Sequence, residues 1–409
     1  MADTVSAKPR LCVLLESYYP VVGGMEAQAR NLAGALKQAG VPLFFLTRRP
    51  SADLKPVDEV DGLEVVRVGP VGPSSRLRWL MVVSCLPALI RRRRDYDIIF
   101  VPGFRAVGLS AVWAAKWLGK RTVLKAESSG ELSGEFFAGG FDKSRIGSKS
   151  GLARFLIKLR NRVLLRADAF VGLSSEQAAE FQSCGVASGR IQVIPQCLDE
   201  TIFHPVDQAA KTELRKKLGL PVDQPLAVFT GRLVSYKGLP TLLRAWKRIC
   251  AERTGGHLAL VGAGGVDIYN CEDDLKKYVA ENGLSDRVTF TGAVSNVPEY
   301  LKAADIYAFP TENEAFGLAL IEAMSCGLAV MSTTTGGIKD FIEDEKNGLV
   351  VRSGNEDDMV NQLQRLLDDP ATRARLGGAA RETVTTRFTL DAVVRQYLDV
   401  FARMVGKSA

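Results

Sequence analysis

Histidine is nearly absent: 409 residues hold only His204 and His257. One precedes Pro205 and the other opens the apolar run "HLALVG", so both read as structural. Cysteine is present but scattered. Seven residues (12, 85, 184, 197, 250, 271, 326) lie far apart, with no C-x-x-C and an odd total. That excludes a disulfide framework and a cysteine zinc site, and leaves reduced thiols used as small core residues. Long hydrophobic runs are missing too. The best, "WLMVVSCLPALI" (79–90), stops at 12 residues, contains Pro87 and is flanked by Arg78 and Arg91; a membrane span needs about 20. Glu16 interrupts the apolar stretch after Arg10, so no signal peptide is expected and the expected location is cytoplasmic. Loose composition is confined to "MADTVSAKPR" and the last few residues.

What is present is ordinary globular material, 46% hydrophobic and 24% charged, long enough for two or three domains with full cores. The net charge of +7 is unevenly placed. Residues 1–205 hold 28 Lys and Arg against 19 Asp and Glu, a net +9, whereas the remainder holds 25 against 27, a net −2. The first half is therefore expected to meet something anionic.

From Leu11 onward, β-branched runs alternate with helical patterns: 11–16, 42–47, 63–68, 97–101, 122–126, 169–174 and 191–195, then 226–231, 258–262, 288–292, 305–310, 328–333 and 347–351. Such alternation predicts parallel sheets covered on both faces. This many strands exceed one open sheet, so the expected fold is α/β with two doubly wound, Rossmann-like domains facing across a cleft. The proline-punctuated "PQCLDETIFHPVDQ" (195–208) marks the boundary: residues 1–203 form the first domain and 204–386 the second. A final amphipathic helix within 387–409 packs back on the first. Ligands of such sheets bind at the carboxyl ends of the strands.

Residues 310–327, "PTENEAFGLALIEAMSCG", carry the sharpest motif. A strand stops at Pro310 and a helix runs to Gly327, which puts Glu314 at the helix mouth and Glu322 two turns inside. The N–H groups of Phe316, Gly317 and Leu318 fall among the unpaired donors of a first turn, a ready phosphate site that Gly317 lets a ligand approach. Carboxylates only accept hydrogen bonds, so Glu314 and Glu322 suit ribose or sugar hydroxyls. Spacing alone fits equally a glutamate favouring a helix N-terminus and another on a solvated face. In "FTGRLVSYKGLPTLL" (229–243), Arg232 and Lys237 flank a strand-to-helix turn and would clamp a pyrophosphate. In "PVVGGMEAQ" (20–28), Gly23 and Gly24 open a helix after the first strand, either as an ordinary turn or as a close approach to a ligand.

Together these stretches resemble family 4 (group 1) of the retaining glycosyltransferases, which adopt the GT-B fold. The resemblance covers nearly the whole chain, and its most specific part is Glu-x7-Glu followed by "GGIKDFIEDEKNGLVV" (336–351). It implies transfer of a sugar from a nucleotide-diphosphate sugar to a hydroxyl acceptor with retained configuration and no metal or other cofactor. Carried over, Glu314 contacts the transferred sugar and Glu322 the ribose. Arg232, Lys237 and the amides of Phe316 to Leu318 hold the diphosphate, Gly24 lies against the donor, and Gly262 in "LVGAGG" (260–265) lies beside the nucleotide. The implied acceptor is a carbohydrate or lipid-linked precursor, and no nucleic acid is implied.

One departure concerns the His that many relatives carry after the strand matched by "TVLKA". Here "AESSGELSGE" (126–135) puts Glu127 in that place, with Ser128, Ser129 and Glu131 as acceptor-side neighbours. Glu127 could orient the acceptor or the sugar, but cannot donate when ionised. Likewise Gln196-Cys197 stands where Asn-Gly is commoner.

Other readings stay open. "LVGAGG" lacks the third glycine of a dinucleotide fingerprint, which weakens a nicotinamide oxidoreductase. "DYD" (95–97) imitates a D-x-D metal motif but precedes a buried strand, where Asp97 reads as a cap or turn. A nucleotide-sugar epimerase, a phosphorylase or a non-catalytic sugar-binding protein would share the fold. The basic segments 76–94 and 151–168 are either solvated core helices or a peripheral contact with anionic lipid on the inner membrane face.

Overall fold

The computed structural model describes residues 8–20, 23–72, 79–135 and 151–406, those of 152–154 by backbone alone. Residues 1–7, Val21 and Val22 of the glycine-pair motif, 76–78 of the first basic segment and 407–409 of the final helix lie outside the described residues.

The chain divides into two compact units, Met1–Cys197 with Leu390–Ala409, and Leu198–Thr389. The change-over falls at Cys197 and Leu198 because the outgoing and returning segments run side by side there. The Leu198 N–H donates to the Phe388 carbonyl at 2.8 Å, and Leu198 pairs in parallel with Thr389.

Unit 1 holds strands β1 (Leu11–Leu14), β2 (Leu43–Arg48), β3 (Val57–Val60), β4 (Leu63–Val68), β5 (Ile98–Pro102), β6 (Arg121–Lys125), β7 (Ala169–Gly172) and β8 (Ile191–Val193). They form one sheet in the order β3-β4-β2-β1-β5-β6-β7-β8. All neighbours are parallel except the edge hairpin β3–β4. Chain direction across the sheet reverses between β1 and β5, which is where ligands of this topology bind. The buried strands are apolar on both faces, and successive residues serve opposite layers. Leu11 and Val13 pack under the helices Gly24–Gln38 and Leu390–Val405, whereas Cys12 and Leu14 join the core beneath helices Met81–Ser84, Leu86–Arg91 and Gly108–Leu118. The returning C-terminal helix is stitched in by aromatic edges, with Phe100 at 5.5 Å from Tyr397 and 5.7 Å from Phe401.

Sequence reading leaves out β3. Its "VDEV" has carboxylates on both faces, so no apolar alternation shows. The turn after it does show: Asp61 and Gly62 take φ of 52° and 71°, the left-handed pair of a two-residue hairpin loop.

Unit 2 holds β9 (Leu226–Thr230), β10 (His257–Val261), β11 (Val288–Phe290), β12 (Ile306–Phe309), β13 (Ala329–Ser332) and β14 (Leu349–Val350), in the order β11-β10-β9-β12-β13-β14 and wholly parallel. Its reversal lies between β9 and β12. The loops leaving those two strands carry Arg232 and Lys237 on one side and Glu314 on the other.

Candidate active site

In unit 2 the two loops are held together by backbone that only glycine allows. Gly238 (φ 73°) packs so closely on the end of β12 that a Cβ there would lie 2.0 Å from the Pro310 carbonyl oxygen. The Glu312 N–H donates to the Tyr236 carbonyl at 2.8 Å, closing the contact. Gly336 (φ 62°) presses on the Glu314 carbonyl, where a Cβ would meet the oxygen at 1.6 Å. Gly262 (φ 136°) lies against the Gly231 carbonyl, again at 2.0 Å for a Cβ, so the loops after β9 and β10 touch through bare backbone.

The consequence is an ion pair: Lys237 Nζ lies 2.5 Å from Glu314 Oε2, both side chains only 14% and 18% exposed. The ammonium also sits 5.5 Å from the centre of the Phe309 ring and 5.8 Å from that of Tyr236. Arg232 does not join this pair. Its side chain is 61% exposed and is held by the Asp267 carboxylate and, at 2.6 Å, by the Tyr236 hydroxyl. Tyr236 thus stands between the two cations.

The helix after Glu314 starts later than the motif suggests. Gly317 has φ 102°, a left-handed conformation that cannot continue inward as helix, so the first helical residue is Leu318 and the element ends at Ser325. Glu322 is therefore little more than one turn inside, about 6 Å along the axis, rather than two. The N–H groups of Gly317, Leu318 and Ala319 have no acceptor among the described residues. The Phe316 ring is buried with Phe341 and Phe388, at 5.6 and 5.7 Å, and so anchors the helix mouth from the core side. The Glu322 carboxyl has no hydrogen-bonding partner among the described residues; burial alone pushes its pKa up to about 8. Buried Tyr307, bonded to the Thr230 hydroxyl at 3.0 Å, lies within electrostatic reach of both Glu322 and Glu314. Lys237, Glu314, Tyr307 and Glu322 therefore share one corner, with Arg232 at its exposed edge.

Unit 1 gathers a second set at its own strand ends. Glu127, after β6, pairs with Lys125 at 2.5 Å, both side chains 5% exposed. Gln196 Nε2 lies 3.5 Å from the other Glu127 oxygen, so Gln196-Cys197 meets the site through an amide. A Cβ on Gly103 (φ 68°) would approach Met25 Sδ at 2.6 Å and Glu127 Cγ at 3.9 Å, which shows how closely the start of the Gly24–Gln38 helix and the loops after β5 and β6 crowd. A side chain at Gly24 would meet open space, but Gly23 backs onto the Glu26 carboxylate, 2.7 Å from where its Cβ would be. Glu26 also accepts from the Ser17 hydroxyl. That helix start already holds an anion, which disfavours a phosphate there.

Glu131 is not an acceptor-side group. It is wholly buried and organises the loop instead, accepting from the N–H groups of Glu127 (3.3 Å) and Ser128 (3.2 Å) and from Arg105 Nε (3.2 Å). Burial pushes its pKa up to about 7, with Arg105 opposing and Glu127 adding to the shift. Ser128 accepts from Arg105 at 3.0 Å, while Ser129 lines an open hollow of about 310 Å³ with Gly130, Ser133 and Glu180. Glu180, which sequence reasoning missed, ties the loop down by accepting from Gly130, Leu132 and Ser133 at 2.8–3.0 Å.

The remaining candidates are structural. Asp97 of "DYD" pairs with Arg10 at 2.8 Å at the start of β5, the opposite edge of the sheet. His257 Nε2 meets the Thr289 hydroxyl at 2.8 Å, and His204 lies 3.1 Å from Lys302. No group of three or more Cys, His, Asp or Glu among the described residues could hold a metal ion.

The family model described as Glycosyltransferase Family 4 matches residues 22–201, and that described as Glycosyl transferases group 1 matches 210–383. The chain belongs to the group 1, family 4 glycosyltransferases and has their GT-B fold. It is 29% identical over 398 residues to a D-inositol 3-phosphate glycosyltransferase of Xylanimonas cellulosilytica, covering 93% of this chain and 92% of that one. It is 25% identical to a GDP-mannose-dependent monoacylated alpha-(1-6)-phosphatidylinositol monomannoside mannosyltransferase of Corynebacterium glutamicum, covering 94% and 96%. Among solved structures, sucrose-phosphate synthase of Thermosynechococcus elongatus superposes with a TM-score of 0.76 at 24% identity, over 98% of this chain and 100% of that one, a likeness of fold.

Proposed function

We propose that this glycosyltransferase moves a sugar from a nucleoside-diphosphate donor to a hydroxyl acceptor with retained configuration and without a metal. The carrying observation is the Lys237–Glu314 pair at the mouth of the Leu318–Ser325 helix, beside N–H groups that lack acceptors among the described residues. An ammonium has three protons, so Lys237 can keep Glu314 and still donate to a phosphate oxygen. Arg232 joins by exchanging Asp267 for the diphosphate; an exposed pair is worth only about 0–1 kcal/mol, so the exchange is cheap. These cations and the helix end then stabilise charge growing on the departing phosphate, the work a divalent ion does elsewhere.

The bond from the sugar's anomeric carbon to the phosphate oxygen breaks and one to the acceptor oxygen forms on the same face. The acceptor proton passes to the leaving phosphate. Glu314 accepts from sugar hydroxyls and Glu322 from the ribose diol, and Gly262 keeps backbone open beside the nucleotide. Glu127, in place of a histidine, orients the acceptor hydroxyl with Lys125 fixing its position. The relatives named for inositol phosphate and phosphatidylinositol mannoside support a polyol or lipid-linked sugar as acceptor, and GDP-mannose among the first donors to try.

Thermal shift against a panel of nucleoside diphosphates, followed by slow hydrolysis of the matching nucleotide sugars in EDTA, tests the reading. One donor should be cleaved at an unchanged rate with chelator, and proton NMR of the transfer product should show the donor's anomeric configuration. Binding without cleavage of any donor, or an inverted product, would overturn it.

A further inference from the structure

The face of unit 1 built by residues 79–91, 108–118 and 151–164 presents large apolar side chains to solvent. The Gly108–Leu118 helix lies between the other two and touches both. On it, Trp113 and Trp117, one turn apart, are 53% and 63% exposed and stack at 5.9 Å. Beside them, Leu80 and Val83 are 58% and 68% exposed, and Phe155 and Leu159 are 62% and 54% exposed. These residues follow helical spacing on the outward side, while Ala111, Val112, Ala114 and Ala115 face the core. Scattered exposed apolar residues are unremarkable, but contiguous ones from three neighbouring segments mark an interaction surface.

The three segments themselves carry charge of one sign. Residues 79–94, 108–118 and 151–164 contain no Asp or Glu. Exposed Arg91, Arg93, Arg94, Lys158 and Arg162 rim the patch, with Lys116 among them paired to Asp168 at 3.4 Å. Tryptophan rings favour the boundary between water and acyl chains, and long basic side chains reach from there to headgroup phosphates. We propose that this face docks on an anionic lipid bilayer, the two tryptophans entering the interface and the basic rim meeting lipid phosphates. A protein partner of matching shape would need acidic groups opposite the rim and an apolar face opposite the tryptophans. A bilayer supplies both without a fitted surface, and a second copy of this chain would set the rim against its own charge. The inference goes beyond the transfer reaction and does not depend on it.

The full chain is floated with vesicles of phosphatidylcholine alone and of phosphatidylcholine with about one third phosphatidylglycerol, at low and at physiological salt. Binding should require the anionic lipid and weaken with salt. Trp113→Ser with Trp117→Ser, and separately Lys158→Glu with Arg162→Glu, should each lower partitioning about tenfold or more. Donor hydrolysis in solution should stay unchanged, which separates failure here from failure of the transfer reaction. Brominated lipid should quench fluorescence of the parent chain far more than that of the tryptophan variant, which keeps Trp79 on the same face. Equal binding to neutral and anionic vesicles, or undiminished binding by both variants, would overturn the proposal. So would a concentration-dependent dimer that the tryptophan variant abolishes while vesicle binding is absent.

Discussion

Both units end a central strand region with a lysine and a glutamate 2.5 Å apart, Lys125–Glu127 in unit 1 and Lys237–Glu314 in unit 2. The sheets are of one plan and the pairs alike in chemistry, yet their surroundings differ. Lys125 and Glu127 are 5% exposed, and Glu127 also meets the Gln196 amide. Lys237 and Glu314 are 14% and 18% exposed, beside helix N–H groups without acceptors among the described residues. A deeply buried pair has lost its water and is strongly bound to its partner. A pair at a mouth can still take on a third group. The first is built to hold one carboxylate in a fixed orientation, the second to receive a charge.

Breaking the buried pair should have the largest effect. Glu127→Ala leaves an ammonium without a partner in a dry place and should destabilise unit 1 by about 3–5 kcal/mol. The double variant Lys125→Met with Glu127→Leu should recover most of that stability but not transfer activity. Hydrogen exchange of the β5, β6 and β7 amides in urea suits the measurement because it reads unit 1 alone, whereas fluorescence would be dominated by buried Trp246 of unit 2. A single variant as stable as the parent would put the two pairs on the same footing and end the contrast.

Lys237→Ala tests the other side. The fold should survive, since the remaining Glu314 is near enough to solvent to be hydrated. Turnover at saturating donor should fall about 10²–10³-fold, the scale of losing one positive group from a developing phosphate charge. Near-normal turnover would mean that Lys237 only positions Glu314.

Much of this is legible in the sequence, and the exceptions share a cause. Strand–helix alternation, the two sheets and the loops at their reversal points follow from local apolar patterning, which burial on both faces writes directly into sequence. Motif spacing placed Glu314 and Lys237 on loops that do meet. What stayed hidden depends on contacts remote in sequence. That Glu131 ties down the loop, with Arg105 as its partner, while Glu127 pairs with Lys125 is decided by contacts across the fold, and nothing within "AESSGELSGE" reveals it. Gly317 could be a helical glycine or a left-handed start until the Phe316 ring is seen locked against Phe341 and Phe388. Two signals were there to be used, the Asp61-Gly62 hairpin turn and the tryptophans one turn apart at 113 and 117.

Glu131 sharpens the comparison through pH. Its carboxyl keeps its proton in the folded chain up to about pH 7, whereas the unfolded chain releases it near the ordinary value of 4.5. The folded state therefore binds more protons between those limits, and raising pH through that window costs stability. Glu131→Gln copies the protonated acid and should remove this slope. The two proteins should melt together at pH 5 and diverge by pH 8, the variant being more stable by on the order of 2 kcal/mol. Parallel melting curves at every pH would show that Arg105 already holds Glu131 ionised.

The smallest expected effect belongs to Glu322, and its sign follows from burial. Without ligand its pKa is pushed up to about 8, so at neutral pH much of it is protonated. Only the carboxylate can accept from both ribose hydroxyls, and bound hydroxyls in turn favour the charged form. Donor affinity should therefore rise as pH increases through 7 to 8. Glu322→Ala should raise KM for the donor about tenfold with kcat little changed, the mark of binding lost equally from ground and transition states. Glu322→Gln should lose less affinity and lose the pH dependence. If either variant instead lowers kcat at constant KM, Glu322 acts on the reacting sugar, and the division of labour along the Leu318–Ser325 helix has to be redrawn.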